Sequence, residues 1–316
     1  MGDGFRWRLA GDDAGQGSLF DADQLLDRHV GTGEFKGVEF MHVNARRIIS
    51  QVPASSRMPF RYTINAYRGC THACVYCFAR PTHQYLGLDS GPDFQTKIVV
   101  KINAVERARA ELADRRWSGD HIAMGTNTDP YQRCEGKYHL TRGIVEALVA
   151  AGNPFSILTK STLVLRDLDL LEEAARRSLV RVALSIGTLD EAVWRATEPG
   201  TPHPRQRMNA VRHLNRAGVP CGVMVAPVIP AMSDAPDQVG EVVAAARAAG
   251  AVSVTTIGLH LRPGVKEHFM GWLAGARPDL VPAYRRLYDR RAYLPKQVQE
   301  RLAGGARDPA WRSTTT

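Results

Sequence analysis

The sequence predicts an α/β fold in which six parallel β-strands alternate with helices. From Tyr62 onward, short apolar runs alternate with longer segments of helical periodicity. This repetition is typical of a parallel sheet built from right-handed crossover units. The fifth apolar run, PCGVMVAPVIP, is almost wholly apolar, as expected for a strand that is buried on both faces.

The predicted elements follow one another in chain order. The six predicted strands are RYTINAY (61–67), HIAMGTNTD (121–129), PFSILTKS (154–161), VRVALSIGTL (180–189), PCGVMVAPVIP (220–230) and VSVTTIGLHL (252–261). Apolar residues at helical spacing predict the intervening helices. These are Asn103–Asp114, Arg142–Ala151, Asp167–Arg177, Gln206–Ala217 and Pro236–Ala249, with further helices between Val265 and Tyr288.

Changes in composition along the chain predict three regions. Residues 1–55 form an N-terminal extension, Gly- and Asp-rich and partly disordered at its start, with a short helix at Asp23–His29. Residues 56–290 form the core domain, and residues 291–316 form a polar C-terminal tail.

Composition indicates an ordinary soluble enzyme of 316 residues, 44% hydrophobic and 23% charged. No apolar run is long enough to span a membrane, and the N-terminus lacks the apolar segment of a signal peptide, so we expect a cytoplasmic protein without membrane contact. The formal charge of +9 is compatible with nucleic-acid binding but does not require it. Abundant Arg and Ala, as in a chain encoded by GC-rich DNA, account for part of this charge.

Three of the five cysteines, Cys70, Cys74 and Cys77, fall within eight positions at the end of the first predicted strand. Three thiolates in one short loop leave a fourth ligand position open. A structural zinc site normally takes four protein ligands, and no second Cys-x-x-Cys pair is present. Soft thiolate ligands with one open position fit an iron–sulfur cluster better. The alternative is a three-cysteine zinc knuckle completed by His72 or His83.

The residues on either side of Cys70, Cys74 and Cys77 match a known sequence signature. The segment NAYRGCTHACVYCFAR (65–80) resembles the signature of the radical S-adenosylmethionine (radical SAM) superfamily, in particular its spore photoproduct lyase-like branch. Ala66 and Phe78 stand where that branch has Pro and often Tyr. The resemblance spans roughly residues 60–275. It implies that the strands form a partial (β/α)6 barrel of the TIM type, rather than one of eight strands.

The resemblance also implies a set of cofactors and ligands. The three cysteines would bind a [4Fe–4S] cluster, and S-adenosylmethionine would chelate the fourth iron. Tyr76 would pack near the adenine. The cluster would be reduced by a one-electron donor such as flavodoxin or ferredoxin, and a 5′-deoxyadenosyl radical would then abstract hydrogen from a substrate that the sequence does not define.

The ends of the next strands supply the other predicted cofactor-binding residues, because reacting groups of such barrels lie where strands pass into loops. The second strand ends in a small, polar segment that resembles the element binding the methionine amine: Gly125, Thr126, Asn127, Thr128 and Asp129. Asp129 and Pro130 could equally form a simple turn. Lys160, which ends the third strand, would pair with the cofactor carboxylate, and Ser185, which ends the fourth, would meet the carboxylate or the ribose.

Two further features keep alternatives open. Glu198, Arg205 and Arg207 resemble an element that follows strand four in this branch, and the arginines could clamp an anion or could pair with Glu198 to order the loop. Cys134 is the candidate hydrogen-atom donor for a photoproduct lyase-type repair reaction, whereas Cys221 is expected to be a small buried hydrophobe. A non-catalytic iron–sulfur electron carrier and a zinc-dependent nucleic-acid-binding protein are the alternatives from other functional classes.

Overall fold

The computed structural model describes residues 25–56, 58–289 and 291–306. Its strands are β1 (Leu25–Val30), β2 (Glu39–Val43), β3 (Ile49–Gln51), β4 (Tyr62–Ile64), β5 (Tyr67–Arg68), β6 (Lys97–Lys101), β7 (Ile122–Met124), β8 (Phe155–Thr159), β9 (Val180–Ser185), β10 (Cys221–Val228) and β11 (Val254–Gly258). Its α-helices are α1 (Asp93–Thr96), α2 (Ala104–Leu112), α3 (Glu135–Tyr138), α4 (Leu140–Ala150), α5 (Leu168–Arg176), α6 (Glu191–Thr197), α7 (Pro204–Arg216), α8 (Pro236–Ala248), α9 (Val265–Ala276), α10 (Val281–Leu287) and α11 (Lys296–Ala306). Short 3-10 helices lie at Gly33–Phe35, Arg80–Leu86, Thr162–Asp167 and Pro278–Leu280.

The larger sheet confirms the predicted fold class. Its strand order is β11-β10-β9-β8-β7-β4-β3, and six of these strands are the six that the sequence predicts. The pairs β4–β7, β7–β8, β9–β10 and β10–β11 are parallel, and β3 adds to β4 in antiparallel orientation. A helix follows each of the strands β7 to β11, as expected for a fold of the partial (β/α)6 type.

The chain divides into two compact units. The first comprises the residues up to 72 together with 79–157 and 177–179, and the second comprises 73–78, 158–176 and the residues from 180 onward. Cys70 therefore belongs to the first unit, and Cys74 and Cys77 belong to the second.

The first unit contains a second sheet that the sequence analysis does not predict, with strand order β1-β2-β6-β5. The apolar run KIVVK forms β6, which pairs in parallel with β2. The predicted helix at Asp23–His29 is wrong over its described residues, because Leu25–Val30 is a strand paired with β2. Residues 1–24 lie outside the described part of the chain.

Helix packing in the first unit follows the predicted periodicity. Ile144, Val145 and Leu148 of α4 are fully buried. Gly143 lets this helix approach α2 closely, since a Cβ at this position would lie 2.6 Å from a methyl carbon of Val105. The absence of a side chain at one position therefore sets the distance between the two helices.

In the second unit, part of the predicted polar tail is ordered. Helix α11 packs on β11, and the Thr256 hydroxyl donates a hydrogen bond to the Leu302 carbonyl (3.0 Å). Leu294 and Leu302 are buried, and a Cβ at Gly258 would lie 2.6 Å from Leu294 Cδ1. The boundaries proposed at 55/56 and 290/291 stay predictions, and residues 307–316 lie outside the described residues.

Candidate functional site

In the first unit, a network of hydrogen bonds braces the loop that carries Cys70. Gly69 has a left-handed backbone (φ +81°), and a Cβ there would lie 2.7 Å from the Phe94 carbonyl oxygen. That same oxygen accepts a hydrogen bond from the Cys70 amide at 2.9 Å. Only glycine satisfies both the conformation and the close approach, so this residue fixes the direction in which Cys70 leaves the strand.

Gln132 and Thr128 hold the other side of this loop. The Thr128 hydroxyl (2.6 Å) and the Gln132 amide nitrogen (3.1 Å) both donate to the Gly69 carbonyl, and the Thr71 amide donates to Gln132 Oε1 (2.9 Å). Gln132 is fully buried, and all of its polar atoms have partners here. The segment after β7 thus supports the cysteine loop directly, and the hydroxyl of Thr128, a predicted cofactor residue, is engaged in that support.

Hydrogen bonds also hold other residues of the predicted Gly125–Asp129 segment. The Asn127 amide donates to Asn65 Oδ1 (3.1 Å), and Asn65 Nδ2 donates to the Thr126 hydroxyl (3.2 Å). Gly125 has a positive φ of +90°. Asp129 Oδ1 accepts from the Tyr131 amide (2.9 Å), which is the turn that the sequence analysis gave as an alternative.

The histidines of the zinc-knuckle alternative have other contacts. His83 is fully buried, and its Nε2 lies 3.0 Å from the Lys97 carbonyl oxygen. Its ring packs edge-on against Phe94. His72 is buried, and its Nδ1 lies 3.3 Å from Asp129 Oδ2. The contact with Lys97 gives the His83 ring a role in the loop structure of the first unit, whereas neither ring nitrogen of His72 has a hydrogen-bond partner among the described residues.

Arg80, which follows the cysteine segment, is a buried brace. It is fully buried, donates to the Gly91 carbonyl (2.7 Å) and to Gln95 Oε1 (2.8 Å), and lies over the Phe94 ring. A planar guanidinium suits this combination of stacking and several donors better than a lysine would.

In the second unit, Cys74 and Cys77 lie in a tight turn. The Cys77 amide donates to the Cys74 carbonyl (3.3 Å), and the Val75 amide donates to the Thr197 carbonyl (3.1 Å). Cys74 is buried and Cys77 is half-buried. Burial, and after it Glu198, raise the pKa of the Cys74 thiol to about 12 against the opposing effect of Lys160. A bound cation reverses this balance, because it stabilises the thiolate.

A buried carboxylate, Glu198, organises the polar residues of the second unit. It is 3% exposed, and Arg207 Nη2 (2.6 Å) and Lys160 Nζ (3.0 Å) donate to its two oxygens. The hydroxyls of Tyr76 and Thr201 also donate to it. Burial raises the pKa of Glu198, but Arg207, Lys160 and the hydrogen bond from Tyr76 together lower it to about 2. Glu198 is therefore ionised and paired with two cations.

The predicted cofactor residues of the second unit converge around this carboxylate. Lys160 Nζ also donates to Ser185 Oγ (2.8 Å) and to the Ala226 carbonyl (3.3 Å), and it lies 5.5 Å from the centre of the Tyr76 ring. Ser185 Oγ donates to the Ala226 carbonyl (2.8 Å). The structure thus brings Tyr76, Lys160 and Ser185 together, although they are up to 109 positions apart in the sequence.

The structure distinguishes the two roles considered for Arg205 and Arg207, an anion clamp or a pairing with Glu198. Arg207 is 1% exposed, donates to Glu198 and also donates to the Ser185 carbonyl (2.7 Å). Arg205 is exposed and lies 3.7 Å from Glu241. Arg207 and Glu198 form a loop-ordering pair here, and the two arginines are not arranged as a common clamp.

Next to Cys77, the second unit exposes a stack of aromatic rings that the sequence analysis does not predict. His260 stacks on Tyr293 (ring centroids 5.0 Å apart, 15° between planes) and on Phe78 (6.4 Å, 29°). The guanidinium carbon of Arg262 lies 6.0 Å from the Phe78 ring centre. Phe78 and Tyr293 are 37% and 60% exposed. We call these four residues the aromatic platform.

The remaining two cysteines are buried. Cys134 precedes α3 in the first unit and is 1% exposed, and burial, followed by Glu135, raises its pKa far above the ordinary value. Its assignment as a hydrogen-atom donor stays a prediction. Cys221 is fully buried at the start of β10 in the second unit. None of the five cysteines, all of which lie among the described residues, forms a disulfide.

A known protein family has a model that matches the part of the chain containing the cysteine segment and most strands of the larger sheet. The family model of the Radical SAM superfamily matches residues 64–242, more than half of the chain. The chain belongs to the Radical SAM superfamily.

Individual relatives and structures narrow this placement. An uncharacterized protein of Mycobacterium tuberculosis is 48% identical over 277 residues, which cover 88% of this chain and 82% of that protein. The structure of spore photoproduct lyase complexed with dinucleoside spore photoproduct has a TM-score of 0.60 at 19% identity, covering 84% of this chain and 77% of the lyase. A Radical SAM Nalpha-GlyT isomerase of Pseudomonas phage M6 is 26% identical over 162 residues, or 51% of this chain and 32% of the isomerase. The chain thus shares its fold with spore photoproduct lyase. No helix among the described residues is long and apolar enough to cross a membrane.

Proposed function

We propose that this protein is a radical SAM enzyme that binds a [4Fe–4S] cluster through Cys70, Cys74 and Cys77 and that cleaves S-adenosylmethionine. The observation that carries the proposal is the cysteine segment itself, three thiols within eight residues of a chain that belongs to this superfamily. Soft thiolate donors fit iron–sulfur binding. His83, one of the two histidines that could complete a zinc knuckle, contacts the Lys97 carbonyl within the first unit instead.

The chain's own residues would prepare the site for these groups. The cluster, when bound and reduced, supplies the electron that splits the sulfonium into methionine and a 5′-deoxyadenosyl radical able to abstract hydrogen. Gly69 and Gln132 direct the Cys70 loop. Glu198 holds the Tyr76 ring, on which we expect the adenine to pack, and neutralises one of its two neighbouring cations. A role of Lys160 toward the cofactor carboxylate requires it to exchange one of its present contacts.

The test is reconstitution under anaerobic conditions with iron and sulfide, followed by dithionite and S-adenosylmethionine. The expected product is 5′-deoxyadenosine, detected by chromatography. Cys74→Ala should lose iron and product. Cys221→Ala, which removes a thiol buried elsewhere in the second unit, is the matched control and should keep both. Zinc bound by the three cysteines in place of iron would refute the proposal. A stable cluster without 5′-deoxyadenosine, even with candidate substrates, would favour an electron carrier.

A nucleic-acid substrate is a second proposal, and the aromatic platform favours it. Exposed stacked rings beside an arginine suit the faces of unpaired bases. The net charge of +9 would attract a polyanion. The similarity in fold to a spore photoproduct lyase complexed with dinucleoside spore photoproduct supports the same substrate class. Photoproduct repair, with Cys134 as hydrogen donor, is one reaction within that class.

Binding of a labelled single-stranded oligonucleotide, followed by fluorescence anisotropy, tests this second proposal. Because stacking on one ring contributes about 1–3 kcal/mol, Tyr293→Ala should weaken binding by roughly 5- to 150-fold. Tyr85→Ala is the matched control, since Tyr85 is 61% exposed and lies outside the platform. Equal affinity of both variants and the native protein would exclude the platform as the binding surface.

A further inference from the structure

Three potential metal ligands meet on the small sheet of the first unit, away from the cysteine segment in the sequence. They are Asp27 and His29 on β1 and His42 on β2. Their ligand atoms, one from each side chain, all lie within 4.8 Å of one another. Nothing in the proposed radical chemistry uses these residues.

The strand register explains why the three side chains meet. Asp27 and His29 are two residues apart on one strand, so their side chains leave the same face of the sheet. In the antiparallel pair β1–β2, Asp27 lies directly opposite His42. Residues in such cross-strand pairs, and on the adjacent diagonal, are near enough for their side chains to touch. The strand register therefore places the three side chains on one face of the sheet, within reach of one another.

The observed contacts are close to those of shared metal ligands. His29 Nε2 lies 2.9 Å from Asp27 Oδ2, and the His29 and His42 ring centroids are 4.4 Å apart. Ligand atoms bonded to one zinc ion at about 2.0–2.2 Å lie roughly 3.0–3.5 Å apart. Small side-chain rotations would bring the three atoms to that spacing. Asp27 and His29 are exposed and His42 is half-buried, so a cation can reach them from solvent.

His42 also has the kind of second contact that orients a metal-binding histidine. The Tyr138 hydroxyl lies 2.7 Å from His42 Nε2, and the two rings pack edge to face. When Nε2–H donates to this hydroxyl, Nδ1 keeps its lone pair for a cation. Metal-bound histidines typically use their other ring nitrogen in this way.

We propose that Asp27, His29 and His42 bind one divalent transition-metal ion of the zinc type. Two imidazoles and one carboxylate are a donor set for zinc and its late first-row neighbours, whereas magnesium and calcium prefer oxygen ligands throughout. A water molecule or an external ligand would complete the coordination. Tyr138 is a positioning residue, which acts through His42.

The site would join the edge strand of its sheet to the neighbouring strand. β1 is the outer strand in the order β1-β2-β6-β5, and edge strands are the least firmly held part of a sheet. An ion shared by β1 and β2 would add a cross-strand link on one face. On the same pair of strands, Arg28 and Glu39 already form an ion pair at 3.2 Å.

The test is equilibrium dialysis of tag-free, cluster-loaded protein against zinc, with zinc and iron both quantified. A second preparation with Cys70, Cys74 and Cys77 replaced by Ser removes the competing thiolates, so the result does not depend on cluster loading. In both preparations, the protein with Asp27, His29 and His42 unchanged should bind one zinc ion per chain. His29→Ala and His42→Ala should each lose it, and Tyr138→Phe should weaken it roughly tenfold. His213→Ala, which changes an exposed histidine of α7, is the matched control and should bind as the native protein does.

X-ray absorption at the zinc edge identifies the ligands. A shell of nitrogen and oxygen at about 2.0–2.2 Å without sulfur supports the site, and sulfur at about 2.3 Å places the ion on cysteines and overturns it. Absence of bound zinc, or equal binding by the native protein, His29→Ala and His42→Ala, overturns it as well. Because His29 is exposed, its replacement should leave the thermal midpoint of the metal-free protein unchanged, which separates lost binding from lost folding.

Discussion

Replacement of Glu198 by Ala tests whether the buried ion cluster of the second unit exists as described. The carboxylate lies 2.6 Å from Arg207 and 3.0 Å from Lys160, and Glu198 and Arg207 are 3% and 1% exposed. Its removal leaves buried positive charge without a partner, which costs about 3–5 kcal/mol. The Tyr76 and Thr201 hydroxyls lose an acceptor too, at about 1 kcal/mol each. We expect the free energy of unfolding to fall by at least about 3 kcal/mol.

Urea denaturation, followed by far-UV circular dichroism, measures this change. Glu241→Ala is the matched control, because it removes an exposed glutamate that lies 3.7 Å from Arg205, a neighbour of Arg207 in helix α7. This replacement should cost less than about 1 kcal/mol. Glu198→Gln keeps the shape and one acceptor oxygen, but it loses the charge and the hydrogen bonds made to the other oxygen, so we expect an intermediate loss. If Glu198→Ala unfolds at the same urea concentration as Glu241→Ala, the cluster does not form and the reasoning is wrong.

The pH dependence of stability gives a second measure of the same cluster. The pKa of Glu198 is about 2 in the folded protein against an ordinary value of 4.5. A lowered pKa means that the folded state holds the proton less tightly, so this stabilisation is complete above pH 4.5 and is lost as the pH falls from 4.5 toward 2. The size of the shift corresponds to about 3 kcal/mol. Glu198→Gln should lack this component of the acid destabilisation.

Two predictions concern the loop that carries Cys70. Gly69→Ala should destabilise the protein by about 1–3 kcal/mol more than Gly119→Ala and should reduce iron uptake. Both positions have a positive φ, but only a Cβ at position 69 would meet the Phe94 carbonyl. Equal iron content and equal melting temperature in the two variants would contradict this prediction. Gln132→Leu should cost about 2–3 kcal/mol and lower the iron content, because the buried Gly69 carbonyl and Thr71 amide each lose a partner. Gln299→Leu, at a side chain that donates to the Leu294 carbonyl, is its control, and iron loss in both variants would rule out a specific effect on the loop.

The sequence predicts the larger sheet well because each of its six parallel strands carries an apolar run between turn residues. Helix α4 shows the same clarity, since Ile144, Val145 and Leu148 form one buried face. The smaller sheet is harder to predict. Its outer strand, β1, reads LLDRHV, in which the polar positions of an exposed edge strand obscure the alternation that identifies a strand. Its pairing with β2 decides the outcome, and pairing is a tertiary effect.

The candidate site shows a similar division. The cysteine spacing is local, so it can be read from eight residues. The role of Glu198 as the common acceptor for Tyr76, Lys160 and Arg207 joins positions that are far apart in the chain, and no local pattern reports it. The aromatic platform joins residue 78 to residues 260–293 for the same reason. The sequence identified members of this network one by one, at strand ends and in the Glu198-Pro199-Gly200 segment after strand four, but it did not show that they share one acceptor.

The charge balance of this network bears on why a buried glutamate stands beside the cysteines. Lys160 and Arg207 both lower the pKa of Cys74, whereas Glu198 raises it. With Glu198 ionised, the three groups carry a net charge of one positive unit, which would suit the proposed cluster site, since thiolates must be anionic to bind iron. Two unopposed cations in the same buried space would be costly. On the proposed function, the carboxylate would make the cations tolerable before the cluster binds and would leave one positive charge to favour binding.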